Sequence, residues 1–360
     1  MPAAPGGTRK KDAPGLVGWI LKVSSALPHA PTMTLVPAGA TSTRPLQWVF
    51  VFLLVFSTLT TLYITFPSKA VLEKVNPMYF YEYEPVYKQN FPFTLRERWK
   101  CQDVRPFLVI LVSSRPREVK ARQAIRITWG SRSSWWGHRV LTLFLLGQDT
   151  PRGDSAVELS VRDESILYGD IIQQDFRDTY GNLTLKTIMG FRWVAEFCPG
   201  TRFLMKTDSD VFINTPRLVE FLLRRNSSEN LFTGYPLINN FAYRGFDKTR
   251  SISYREYPFR SYPPYCGGMG YVLDGKLALR IYELMGHVRP VKFEDVYVGI
   301  CLNILKVPVS VPEDAEQFFL YRVNFDACKY RHLIAVHGLT PSELIQFWQD
   351  LSSSSSVTCL

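Results

Sequence analysis

No acidic or basic side chain occurs between Arg44 and Lys69, and residues 46–66 read LQWVFVFLLVFSTLTTLYITF. A bilayer core is crossed by about 20 consecutive apolar residues, so one N-terminal transmembrane helix is expected at residues 45–66. The run has no polar face for a core helix to turn to solvent. It is too long for a cleaved leader, and no small-residue cleavage site follows. Before it, Arg9, Lys10, Lys11, Lys22 and Arg44 outweigh Asp12, which places the N-terminal side in the cytoplasm. The expectation is a type II, signal-anchored protein. It has a disordered tail (1–44) rich in Pro, Gly, Ala, Ser and Thr, an aromatic, proline-broken stem (67–105), a lumenal domain (106–351) and a serine-rich end (352–360).

The net charge of +10 suits an anionic partner, but the basic residues are dispersed among aromatics and prolines. No basic block points to nucleic acid, and a cleft for an anionic small substrate such as a nucleotide sugar fits as well. All six cysteines (Cys101, Cys198, Cys266, Cys301, Cys328, Cys359) follow the apolar run. In an oxidising lumen they favour disulfides, and none forms the CxxC spacing of a zinc cluster. Asn182 and Asn226 head glycosylation triplets. Asn226 is the better candidate, because Asn182 opens an apolar helical segment.

From residue 106 the chain alternates. PFLVILVS reads as a strand buried on both faces, 118–129 as a helix, LTLFLLG as a second buried strand and 154–166 as a helix. A short strand at Asp170 precedes a helix over 183–197, and then comes the strand-like RFLMKTDSD. Such alternation predicts an α/β domain with a mainly parallel sheet, whose ligands bind beyond the carboxyl ends of the strands. Asp208 and Asp210 fall at one such end. A D-x-D triplet alone is a common turn or cap. At a strand end it is also an oxygen-ligand site for Mn²⁺ or Mg²⁺ on a diphosphate.

Four further groups carry two readings each. Glu294 and Asp295 open a helical run, as a cap or with Asp295 as a general base. PPYCGGMGY is a tight turn or a sugar-contacting loop containing Tyr265, Gly267 and Gly268, and Glu294 is expected with them on the sugar and acceptor side. Arg122 and Arg126 share a helix face that is solvated or meets a nucleotide. His337 ends an apolar run as a hydrogen-bonded histidine or a metal ligand; the residues alone favour the first.

The stretches RQAIRITWG, FLLGQ, YGDIIQQDFRDTYGNLTLKTIMGFRWVAEFC, MKTDSDVF, YPPYCGGMGY and FEDVYVGICL occur in an order that resembles the β1,3-glycosyltransferase family of Golgi type II enzymes. The resemblance covers most of residues 75–350. It implies a GT-A fold, a Rossmann-like nucleotide half joined to an acceptor half, and an inverting, Mn²⁺-dependent transfer from a UDP-sugar. It implies Asp208, Asp210 and His337 at the metal and Asp295 as the base. Arg122, Arg126, Asp170 and Lys186 fall in donor-side motifs, and Cys101 and Cys198 are a supported disulfide. Where relatives often have CSG, this chain has Cys266-Gly267-Gly268. NPMYFYEYEPVY, TLKTIMGFRWV, FTGYPLI and KFEDVYVGICLN are most similar to members that move N-acetylgalactosamine from UDP-GalNAc onto the glycolipid globotriaosylceramide. UDP-galactose and UDP-N-acetylglucosamine are alternative donors. A catalytically dead chaperone or lectin is disfavoured by the intact acidic residues.

Overall fold

The computed structural model describes residues 44–65, 74–86, 91–150, 155–225, 230–354 and 358–359. Two compact units result, Met1–Ser68 and Lys69–Leu360. In the first, Arg44–Thr65 is one helix, and its side chains are described from Gln47 to Thr61, where Trp48, Phe50, Phe52 and Phe56 are exposed. Among the described residues, no helix is long and apolar enough to cross a membrane.

The second unit is built on an eight-stranded mixed sheet. Seven strands run in the order Phe93–Leu95, Ile171–Arg177, His138–Gln148, Leu108–Ser113, Phe203–Asp208, Tyr265–Asp274 and Phe232–Leu237, and Ser134–Trp135 pairs with His138–Gln148. The four strands from Ile171–Arg177 to Phe203–Asp208 are parallel; the flanking ones are antiparallel. The run LVILVS is buried throughout, as a strand covered on both faces must be. Val109 and Leu111 enter one core with the helices Leu183–Phe197, Gly275–Met285 and Glu294–Ile304. Leu108, Ile110 and Val112 enter the other with Val119–Ile127, Thr215–Leu223 and Pro341–Ser353. The period of two along the strand therefore divides the unit into helix, sheet and helix layers.

The sequence expectation of a mainly parallel sheet misses the antiparallel side. PPYCGGMGY is neither turn nor loop: Tyr265–Asp274 is a ten-residue strand. Its glycines let neighbours approach. A Cβ on Gly268 would meet Glu294 Oε1 at 2.9 Å, and one on Gly270 would meet Met205 Cε at 3.2 Å. The segment expected as stem also belongs to the sheet unit. Phe93–Leu95 is an edge strand, and Phe80 is fully buried and stacked on Tyr257.

A second, three-stranded sheet orders Phe318–Phe319, Ala335–His337 and Val211–Ile213. Disulfides join Cys101 to Cys198 and Cys328 to Cys359, while Cys266 and Cys301 are buried thiols. With a core on both faces of its sheet and both disulfides internal, Lys69–Leu360 has what a domain needs to fold alone.

Candidate active site

Parallel pairing sets Ser113 opposite Asp208, so the carboxyl ends of two central strands meet at one edge. Along Phe203–Asp208 every residue is buried until Asp208, whose side chain is the first to reach solvent. The chain turns through Ser209 and Asp210 and enters Val211–Ile213. Val211 pairs there with His337, and the amides of Gly338 and Leu339 donate to the Asp210 carbonyl at 3.1 and 3.0 Å. This pairing carries His337 Nε2 to 3.2 Å from Asp210 Oδ2.

The other ring nitrogen, Nδ1, lies 3.2 Å from the Leu320 carbonyl. A carbonyl only accepts, so Nδ1 is the donor and Nε2 faces the Asp210 carboxylate. A lone pair against a carboxylate is tolerable only with a proton or a cation between them. The pair accordingly raises the His337 pKa through its bond to Asp210, and His337 holds the Asp210 carboxyl below its usual range against the opposing effect of burial. Among the described residues, no group of three or more His, Cys, Asp or Glu side chains forms a metal cluster. Asp210 and His337 nevertheless suit an ion such as Mn²⁺ or Mg²⁺, which is commonly held by one or two protein ligands and completed by phosphate oxygens and water.

Asp208 is tied down from behind. Lys206, buried two residues earlier, donates to Asp208 Oδ1 at 2.9 Å, to Glu294 Oε1 at 2.7 Å and to the Gly268 carbonyl at 2.6 Å. Burial opposes its charge, but the two carboxylates prevail and raise its pKa. Glu294 is saturated, since Tyr271 and Thr187 each donate to its second oxygen at 3.0 Å. The acidic pair at the start of Glu294–Ile304 thus divides its work. Glu294 locks Lys206, and Asp295 faces the site.

Asp295 Oδ2 accepts from the Gly268 amide at 3.1 Å and Oδ1 from Val296 at 2.8 Å. No cation is bonded to it among the described residues. Burial first, then the charge of Glu294, pushes its pKa up to about 7. A carboxylate poised there can take a proton near neutral pH.

A cleft of about 270 Å³ adjoins Asp208, Ser209 and Asp210, walled by Ser114, Glu118, Asp178, Tyr180 and Lys186. Lys186 donates to the Ser114 carbonyl at 2.7 Å and to Asp178 at 2.9 Å; burial lowers its pKa while Asp178 opposes the change. Ser209 donates to Glu118 at 3.0 Å.

Arg122, Arg126 and Asp170 lie elsewhere, in an ion-pair network. Arg122 is fully buried and forks onto Glu164 while also donating to the Arg115 and Pro116 carbonyls. Arg126 bridges Glu164 and Asp170 over the Tyr168 ring. The Arg122 guanidinium shapes the Ser114–Pro116 turn at the cleft wall and is itself spent inside the protein. Tyr265 is buried, its hydroxyl accepting from Asn240 at 2.6 Å. Gly267 has Leu320 Cδ1 3.0 Å from where a Cβ would stand. The Asn182 amide donates to the Arg177 carbonyl at 2.8 Å, and Asn226 lies outside the described residues.

Sequence reasoning overlooked Lys206, Glu118, Asp178 and Tyr180. A lysine inside the apolar FLMKTD was a visible signal, because a buried ammonium requires carboxylate partners.

An α/β domain with two aspartates and a histidine at its strand ends, and a buried carboxyl at the start of a neighbouring helix, has the layout of a group-transfer enzyme. A family model described as galactosyltransferase matches residues 120–313. "UDP-GalNAc:beta-1,3-N-acetylgalactosaminyltransferase 1" of Rattus norvegicus is 58% identical over 320 residues, spanning 89% of this chain and 97% of that protein. Its Homo sapiens namesake is 59% identical over 308 residues, 86% and 93% of the two chains. "Beta-1,3-galactosyltransferase 5" of Homo sapiens is 40% identical over 285 residues, 79% and 90%. The chain belongs to the galactosyltransferase family, and it is a glycosyltransferase.

Proposed function

We propose that this enzyme is an inverting β1,3-N-acetylgalactosaminyltransferase of GT-A type. It takes N-acetylgalactosamine from UDP-GalNAc to the 3-hydroxyl of the terminal galactose of globotriaosylceramide, making globoside in glycosphingolipid synthesis. The observation that carries the reading is the placement of Asp295, which opens the helix Glu294–Ile304 and accepts from the Gly268 amide on the strand paired with Phe203–Asp208, where burial pushes its pKa up to about 7. The names of the 58–60% identical relatives support the donor.

Asp295 accepts the proton of the acceptor hydroxyl as its oxygen bonds to the anomeric carbon of the donor. The bond from that carbon to the UDP oxygen breaks on the opposite face, which converts the α-linked donor into a β product. Asp210 and His337, with Asp208 beside them, would hold Mn²⁺ (or Mg²⁺), which supplies positive charge to the departing diphosphate. Lys206 fixes Asp208, and Lys186 holds the Ser114 turn that walls the cleft. Residues 45–66 would anchor the chain, type II, in the Golgi membrane with the catalytic unit lumenal.

The test offers purified Lys69–Leu360 three donors, UDP-GalNAc, UDP-galactose and UDP-N-acetylglucosamine, with Mn²⁺. The acceptors are globotriaosylceramide in detergent and simple galactosides. Transfer from UDP-GalNAc to globotriaosylceramide is expected. Transfer from UDP-galactose alone would overturn the donor assignment.

A further inference from the structure

The helix Ala156–Tyr168 is turned inside out. Its buried side carries Glu158, Glu164 and Ser165 beside Val161, while Leu159 is 56% exposed, Ile166 85% and Leu167 72%. The buried polar groups fix that orientation. Glu158 accepts from the Asp149 amide at 2.6 Å and from Gln173 Nε2 at 2.8 Å. Glu164 accepts from Arg122 at 2.8 Å and Arg126 at 2.7 Å, and Ser165 donates to Glu97 at 3.3 Å. Rotating the apolar side chains inward would strand two buried carboxylates. Both ends are capped as well: Ser155 accepts from the Glu158 amide, and Gly169 closes the helix in the left-handed conformation at φ 59°. Large apolar side chains held outward on a locked helix mark a surface that another molecule covers.

Leu159 and Ile166 are about two turns apart, so they lie in one line along the helix. Arg162 and Asp163 sit midway between them, on opposite flanks of that line. Both are exposed, and neither has a hydrogen-bond or ion-pair partner among the described residues. The outward face is therefore an apolar line with one free charge of each sign beside it, neutral in sum on a chain of net charge +10.

That pattern is complementary to itself in one arrangement. Two copies packed with these helices parallel, about a twofold axis running along them, set Leu159 on Leu159 and Ile166 on Ile166. Each Arg162 then faces the partner's Asp163, on both flanks. Antiparallel helices would instead set Arg162 against Arg162 and Asp163 against Asp163, two pairs of like charges. Val161 enters the core between this helix and the sheet, so the pairing covers the outside of a helix layer and leaves the strand end at Asp208 uncovered.

We propose that the outward face of Ala156–Tyr168 is a homodimer interface, in which two copies pair these helices in parallel through Leu159 and Ile166, with reciprocal Arg162–Asp163 contacts.

Sedimentation equilibrium of Lys69–Leu360 is measured from about 1 to 200 µM, because a single helix pair lies at the small end of stable interfaces. Wild type should form a dimer. Leu159→Ser/Ile166→Ser should dimerise at least about tenfold more weakly, with an equal melting temperature in dilute solution and unchanged transfer to a soluble galactoside. Arg162→Asp and Asp163→Arg should each weaken the dimer, and an equimolar mixture of the two should restore it. Cross-linking reads the direction of the helices. The chain's own cysteines are paired or buried, so Ile166→Cys supplies an exposed thiol. On oxidation it should link to its own copy in the partner, as should Leu159→Cys. A wild type that stays monomeric at the highest concentration would overturn the proposal. So would a dimer indifferent to Leu159→Ser/Ile166→Ser, or cross-links that form only when Leu159→Cys is mixed with Ile166→Cys, the mark of an antiparallel pair.

Discussion

Lys206 Nζ lies 2.7 Å from Glu294 Oε1, a buried ion pair that joins residues 88 apart in sequence. Through it the strand that ends in Asp208 and the helix that begins with Asp295 hold one geometry. Lys206→Met would leave Glu294 buried without its cation. Removal of one partner from such a pair costs about 3–5 kcal/mol. Urea denaturation of Lys69–Leu360 should show a loss of that order, with part recovered in Lys206→Met/Glu294→Gln. A loss within about 0.5 kcal/mol, the range of surface substitutions, would contradict the account.

Asp295 gives a pH dependence of defined sign. Its folded pKa of about 7 lies above the ordinary 3.8, so the folded state holds the proton more tightly than the unfolded chain. Stability from this group is therefore full below pH 3.8 and declines as pH rises towards 7. Asp295→Asn should melt higher than wild type at pH 8, and the two should converge near pH 4. Activity takes the opposite course, since only the ionised form accepts a proton. The kcat/KM of wild type should fall as pH drops below about 7.

Asp210→Ala and His337→Ala should each weaken Mn²⁺-dependent UDP binding by about 10–100-fold, as expected for groups that hold or orient a metal. Titration calorimetry with UDP, with Mn²⁺ and with chelator, measures it. The melting temperature of the metal-free domain should shift little, because the backbone contacts from Gly338 and Leu339 to Asp210 remain and the lost Asp210–His337 side-chain pair is partly exposed.

The two disulfides close loops of different length, with separations of 97 and 31 residues. In the chain-entropy picture the longer loop constrains the unfolded chain more. Cys101→Ser/Cys198→Ser should therefore cost more than Cys328→Ser/Cys359→Ser, each about 2–5 kcal/mol. Chemical denaturation under non-reducing conditions compares them.

The parallel half of the sheet was legible because its strands are continuous apolar runs separated by periodic helices. The antiparallel half was not. PPYCGGMGY read as a tight turn or a sugar-contacting loop, whereas Gly267, Gly268 and Gly270 sit in a strand that packs tightly against Leu320, Glu294 and Met205. Asp208, Asp210 and Asp295 were visible as types at element ends. Lys206 was visible as a misplaced lysine in an apolar run, but its partner Glu294 lies 88 residues on, a contact that no local pattern encodes. Arg122 and Arg126 illustrate the reverse case. Their helical spacing was real, but Glu164 and Asp170 receive their guanidinium groups.

The central claim is that Asp295 removes the acceptor proton while Asp208, Asp210 and His337 serve the donor end. Single-turnover transfer from UDP-GalNAc by wild type and Asp295→Asn, with donor affinity measured on the same samples, tests it most directly. The account predicts unchanged Mn²⁺-dependent donor binding and a rate about 10²–10⁴-fold lower, the usual contribution of a general base. A near-normal rate, or loss of donor binding in step with the rate, would contradict it.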